Sequence, residues 1–205
     1  ALRAQYASRL IHPGAVKFFL DGVVDAHTAY LAEPYADRPG YRGEPLWARE
    51  VLLPLVAALD AAQFQIHMHA VGDGAVRLSL DSLEHALQRN GRRASRHQVA
   101  HLDVLDPQDV PRFAALGVVA NMQPAWFFMD SSFIDSYRPF LGKARADALY
   151  RMRELLDTGA RLSCGSDWPF GGDQVTCNPL ESIQIGATRL PIRTELAAAP
   201  LPGEP

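Results

Sequence analysis

The chain has 205 residues, 48% hydrophobic and 21% charged, with a formal net charge of −3. That is enough for one sizeable core, and the absence of any basic run argues against a nucleic-acid partner. The longest apolar runs, such as Val51 to Leu59, are interrupted by Pro54 and are too short for a bilayer, so no membrane association is expected. Two cysteines, Cys164 and Cys177, make no disulfide framework, and the cytoplasm is the default expectation. No signal peptide is read at Ala1, where an initiator Met is also missing.

Strand-like and helix-like stretches alternate along the chain. Ala15 to Leu20 reads as a strand, stopped by Asp21-Gly22. Val23 to Gly43 is a long segment rich in Pro, Gly, Tyr and Asp, of the kind that carries function in a compact domain. A helix follows over about Arg49 to Ala62, with Leu52, Leu55, Val56 and Leu59 on one face; Pro54 suits only its first turn. Phe64 to His69 is a second strand and Ala75 to Gln88 a second helix, with Asp73 as its cap. Gln98 to His101 is a short third strand. Asp106-Pro107-Gln108-Asp109 is a helix start, ending at Gly117. Val118 to Met122 is a fourth strand, Pro124 to Gly142 an aromatic-rich loop, and Lys143 to Asp157 a helix. Arg161 to Cys164 is the fifth strand, Asn178-Pro179-Leu180-Glu181 opens a last helix, and residues 197–205 form a frayed tail.

This order predicts an α/β fold of about five parallel strands with intervening helices. A closed eight-stranded barrel takes about 250 residues, so a partial barrel over residues 1–205 fits better than a whole one.

In parallel α/β proteins chemistry gathers at the carboxyl ends of the strands. Those ends here hold Lys17 with Asp21, His67 with His69, His101, Asn121 with Gln123, and Ser166 with Asp167. Lys17 lies in an apolar strand, where it either snorkels or pairs with Asp21, or else takes up CO2 to become a carbamate that bridges metals. His67 and His69 share one face by the period of two, so both bind one metal or one orients the other. His101 ends a strand, with His97 either at that strand's start or its helical i−4 partner. Asp167, between Ser166 and Trp168-Pro169, is a ligand and general base, or a loop-initiating Asp. His12, His27 and His85 read as surface or loop residues, His27 being the candidate among them to face substrate, and Cys164 belongs to the core.

Five segments resemble the YtcJ-like branch (amidohydrolase family 3) of the amidohydrolase superfamily. They are V-K-F-F-L-D-G-V at Val16 to Val23, H-M-H-A-V-G-D at His67 to Asp73, R-H-Q-V-A-H at Arg96 to His101, G-V-V-A-N-M-Q-P at Gly117 to Pro124, and G-S-D-W-P at Gly165 to Pro169. They occur in the family's order. The resemblance implies a distorted TIM-type barrel with metal ligands Lys17 (carboxylated in many members), His69, His101 and Asp167. Asp167 and His101 would be the catalytic residues. It also implies that the upstream H-x-H pair, the first barrel strands and the small β-domain lie outside this chain.

The expected function is hydrolysis of amide-type, non-peptide C–N bonds by a metal-activated water, with one or two divalent ions, zinc first. The expected partner is a small-molecule amide, in a pocket formed by His67, His27, Gln123, Trp126 and Trp168, with Phe127 as a further aromatic. The alternative is a catalytically incomplete piece that holds at most one metal or self-associates, as a homo-oligomer, to cover its sheet edges.

Overall fold

The computed structural model describes residues 2–130, 133–170, 177–193 and 200–204. A short helix α1 (Leu2–Tyr6) precedes β1 (Ala15–Phe19), α2 (Arg49–Ala61), β2 (Gln65–Ala70), α3 (Asp73–Asn90), β3 (Gln98–His101), α4 (Val110–Leu116) and β4 (Val119–Met122). Then come α5 (Arg138–Leu141), α6 (Lys143–Ala146), α7 (Met152–Asp157), β5 (Arg161–Cys164) and α8 (Pro179–Thr188). No helix among the described residues is long and apolar enough to cross a membrane.

The five strands pair in parallel in the order β1-β2-β3-β4-β5. A consecutive order with helical crossovers winds in one direction, as in a barrel, rather than reversing as in a doubly wound sheet. Register then separates two faces. Phe18, Met68, Val99, Ala120 and Leu162 lie abreast, and the first four are buried. They form the core with Leu52 and Val56 of α2 and Val76, Leu80 and Leu83 of α3. The opposite face is the polar one. Lys17, His67, Gln98, Val119 and Arg161 form one row across it, and Phe19, His69, Ala100, Asn121 and Ser163 the next.

Three local expectations change. The helix expected over 143–157 is two short ones, because Tyr150 takes a left-handed backbone (φ 54°) and gives its N–H to the carbonyl of Asp103 at 3.1 Å. The helix expected from Asp106 begins at Val110, so Pro111 falls in its first turn, where its missing N–H costs nothing. Residues 106–109 form a turn instead, with the Asp106 carboxylate accepting from the N–H of Gln108. Pro54 lies inside α2, past the first turn.

At the amino ends of the strands, buried Asp60 accepts from Asn90 Nδ2 (2.7 Å), Arg93 Nε (2.7 Å) and His97 Nε2 (2.9 Å). His97 Nδ1 accepts the N–H of Ile66 at 3.0 Å. His97 therefore locks α2, β2 and β3 together, far from the strand ends where chemistry gathers. Of the expected frayed tail, residues 197–199 and 205 lie outside the described residues. Leu201, by contrast, is buried, and buried Arg189 donates to the carbonyls of Leu149 (3.0 Å), Leu201 (2.9 Å) and Pro202 (2.7 Å).

Candidate metal centre

The site begins where β1 turns away from the sheet. Asp21, just beyond β1, is buried and accepts three backbone N–H groups: Val71 at 3.0 Å, Gly72 at 2.9 Å and Tyr30 at 2.9 Å. Asp73, at the first position of α3, accepts from Ala32 at 2.8 Å, while Gly72 takes the cap position. These two carboxylates tie the 23–43 segment to β2 and to the start of α3. Gly72 is required there, since a Cβ would lie 2.1 Å from the carbonyl oxygen of Tyr30. Burial pushes the Asp21 carboxyl up to about 7, against the downward pull of its three N–H donors.

His69 Nε2 lies 3.0 Å from the carbonyl of Gly22 and 3.7 Å from Asp21 Oδ1. A carbonyl only accepts, so Nε2 carries the proton and the lone pair is left on Nδ1. His101 pairs in register with Ala70, which assigns it to the helix-covered face. The left-handed backbone at His101 (φ 83°) and Leu102 (φ 60°) breaks the alternation. Its ring thus stands 4.3 Å from the ring of His69, edge-on, and stacks on Trp126 at 5.5 Å and 7°. Burial, with the charges of His69 and Lys17, takes His101 down to about 3. Its imidazole is therefore neutral at ordinary pH.

The other expected site residues fall around this pair. Lys17 is exposed on the polar face rather than buried, with Nζ 4.8 Å from the centre of the Phe19 ring. It makes no ion pair with Asp21 among the described residues. His67 is half-buried one row below His69, and burial lowers its pKa. Asp167 is exposed on a left-handed turn (φ 50°) after β5, and its charge reaches His67 and His69. Gln123 is buried and donates to Asn121 Oδ1 at 2.9 Å. Trp168 is 61% exposed. His27 is buried inside the 23–43 segment, 2.8 Å from Asp37 and with its ring tilted against Phe140 at 4.0 Å. Phe127 is likewise core, packed on Tyr150 at 4.4 Å. Cys164, expected in the core, is exposed.

Among the described residues no group of three or more His, Cys, Asp or Glu is close enough to hold a metal. Two donors are nonetheless prepared. His101 Nδ1 is buried with no hydrogen-bond partner at ordinary distance, the neighbouring Gln123 carboxamide acting on the ring from further off, and His69 Nδ1 holds a lone pair. Unpartnered buried nitrogens are rare, and a pair of neutral imidazoles is a fitting start for a divalent site, with Lys17 and Asp167 standing off as further donors.

Sequence reasoning missed one cluster. Asp103, buried two residues past His101, accepts the hydroxyls of Tyr137 (2.7 Å) and Tyr150 (3.3 Å) on Oδ2. Burial raises its carboxyl to about 6 and drives both phenols well above their ordinary value. The only available signal was the Leu-Asp after His101, since both tyrosines lie far along the chain.

A consecutive parallel α/β sheet with histidines at the carboxyl ends of neighbouring strands defines a barrel-type α/β scaffold. The chain belongs to the amidohydrolase family, whose model matches residues 3–182. It is 34% identical over 194 residues to the protein LONG AFTER FAR-RED 3 of Arabidopsis thaliana, covering 94% of this chain and 32% of that protein. To the putative amidohydrolase YtcJ of Bacillus subtilis it is 30% identical over 176 residues, covering 86% and 31%. The crystal structure of an uncharacterised metal-dependent hydrolase from Pyrococcus furiosus superposes with a TM-score of 0.71 at 25% identity, over 89% of this chain and 36% of that one. The chain thus spans about a third of the length of the curated relatives it matches.

Proposed function

We propose that the chain carries the His69–His101 side of the metal site of a hydrolase that cleaves non-peptide, amide-type C–N bonds. The observation that carries this reading is the buried, unpartnered Nδ1 of His101 beside His69 at the carboxyl edge of the sheet. Membership of the amidohydrolase family and the fold shared with a metal-dependent hydrolase support it.

His69 and His101 would hold a divalent ion, zinc first by the softness of the nitrogen donors, with Asp167 as a third ligand. Lys17, exposed on the same face, is open to carboxylation, which would turn a repelling ammonium into an anionic donor. The bound ion would supply Lewis acidity and a water of lowered pKa. Asp167 would accept the attacking water's proton and return it to the leaving nitrogen. Trp126, lying flat on His101, would keep solvent from that side of the ring.

A second reading is favoured by the edges of β1 and β5, which pair with no further strand among the described residues, and by an apolar groove of about 700 Å³ between β5 and α8, beside exposed Leu180 and Ile183. On that reading the chain is catalytically incomplete and associates with itself through these surfaces. Turnover separates the two. Loaded with zinc or manganese, the chain is expected to hydrolyse part of a panel of N-alkyl and N-aryl carboxamides, with activity lost to a chelator and regained with metal. A dimer with no metal-dependent turnover on any member would refute the first reading for this chain and favour the second.

A further inference from the structure

The loops following β1, β4 and β5 line an open cavity of about 370 Å³ with Trp126 in its wall, and the same Trp126 ring stacks on His101. Six of its ten lining residues are aromatic: Trp126, Phe128, Phe133, Tyr137, Tyr150 and Phe170. Asp25 and Asp130 line it as well, and no Lys or Arg does among the described residues.

The hydrogen-bonding state of this wall is one-sided. Among the described lining side chains three carry a donor, and each makes a hydrogen bond. Tyr137 and Tyr150 give their hydroxyl protons to Asp103 Oδ2 behind the wall, at 2.7 and 3.3 Å. Trp126 gives its indole N–H to the carbonyl of Phe170 at 3.2 Å. Toward the cavity the tyrosines therefore offer only oxygen lone pairs, alongside the two carboxylates. Asp130 accepts the N–H of Phe133 (2.8 Å) among its partners, and Asp25 is exposed at the rim. Aromatic faces attract cations through their quadrupoles. Among the described side chains a carboxylate entering this space would meet no uncommitted donor and two like charges, whereas an ammonium would meet acceptors and ring faces.

We infer that this cavity is a subsite selecting a protonated amine, carried on an aromatic or alkyl arm of the substrate. Its assignment to the substrate rests on the hydrolase reading; its preference for a cation does not.

The test is binding, measured calorimetrically in the presence of a chelator so that neither metal nor turnover contributes. The probes are benzylammonium, benzyl alcohol and benzoate, which share a ring and differ in charge. Benzylammonium is expected to bind at least about tenfold tighter than benzyl alcohol, in keeping with a desolvated cation–π contact plus ionic acceptors, and benzoate weakest of the three. Asp25→Asn should remove most of the preference for the ammonium. Phe170→Ala, at a residue 68% exposed, should weaken benzylammonium and benzyl alcohol together. Three results would overturn the inference: benzoate binding as tightly as benzylammonium, no saturable benzylammonium binding, or an ammonium preference untouched by both substitutions. Normal probe binding with no hydrolysis of any amide would instead leave the cation subsite in place and remove the hydrolase reading.

Discussion

Asp21→Ala is expected to lower the unfolding free energy by about 4 kcal/mol or more. The substitution strips the acceptor from three backbone N–H groups at once, and each buried donor left unsatisfied costs roughly 1–3 kcal/mol. Those donors belong to Tyr30 in the 23–43 segment, to Val71 after β2 and to Gly72 at the start of α3. Their loss releases the segment from the sheet and loosens the turn that carries His69. Asp21→Asn keeps one acceptor oxygen but turns an amide N–H₂ toward a donor, so it should fall between the two. Urea unfolding of the three proteins at one pH checks the order, and a loss under about 1 kcal/mol for Asp21→Ala would show that water replaces the carboxylate without cost.

The second large effect is acid sensitivity carried by His101. Its folded pKa of about 3 lies far below the ordinary value of 6.5. The unfolded chain therefore takes up a proton below about pH 6.5 that the folded chain refuses until about pH 3. Protons favour the unfolded state throughout that window, so the contribution is intact above pH 6.5 and is lost as pH falls. At about 1.36 kcal/mol per unit, the loss at pH 4.5 is roughly 2–3 kcal/mol. Asp21 and Asp103, with raised values, act in the opposite direction, so the effect is read as a difference. Between pH 7 and pH 4.5, in chelator, the native chain should lose roughly 2–3 kcal/mol more than His101→Gln. Parallel losses in the two would mean that His101 is solvated in the folded state.

The sheet was legible in the sequence because each strand is short, largely apolar and bounded by loop or turn residues such as Asp21-Gly22. Every strand falls within a residue or so of its expected place. The helices were legible where periodicity alone decides, as in α2 and α3, and misplaced where a distant contact decides. Tyr150 breaks the 143–157 stretch because its backbone and hydroxyl both answer to Asp103. Strand-end position singled out the histidines, and their reach toward one another comes from backbone geometry. His101 reaches His69 only through a left-handed φ that simple alternation does not foresee. Asp21 read as a strand stop or a partner for Lys17, because a side chain's debt to three backbone N–H groups from two other segments leaves no local trace. The acceptor-only cavity escaped notice for the same reason. Its character depends on where Tyr137, Tyr150 and Trp126 spend their protons, and two of those bonds reach 34 and 47 residues back along the chain.

The proposed metal site stands on His69 and His101. The measurement that bears on it most directly is the zinc, manganese and iron content of the purified chain after dialysis, beside His101→Ala and Asp167→Asn proteins shown to be folded. The expected result is stoichiometric metal in the native chain, lost with His101→Ala and weakened with Asp167→Asn. A folded native chain that retains no metal, or retention indifferent to His101→Ala, would contradict it.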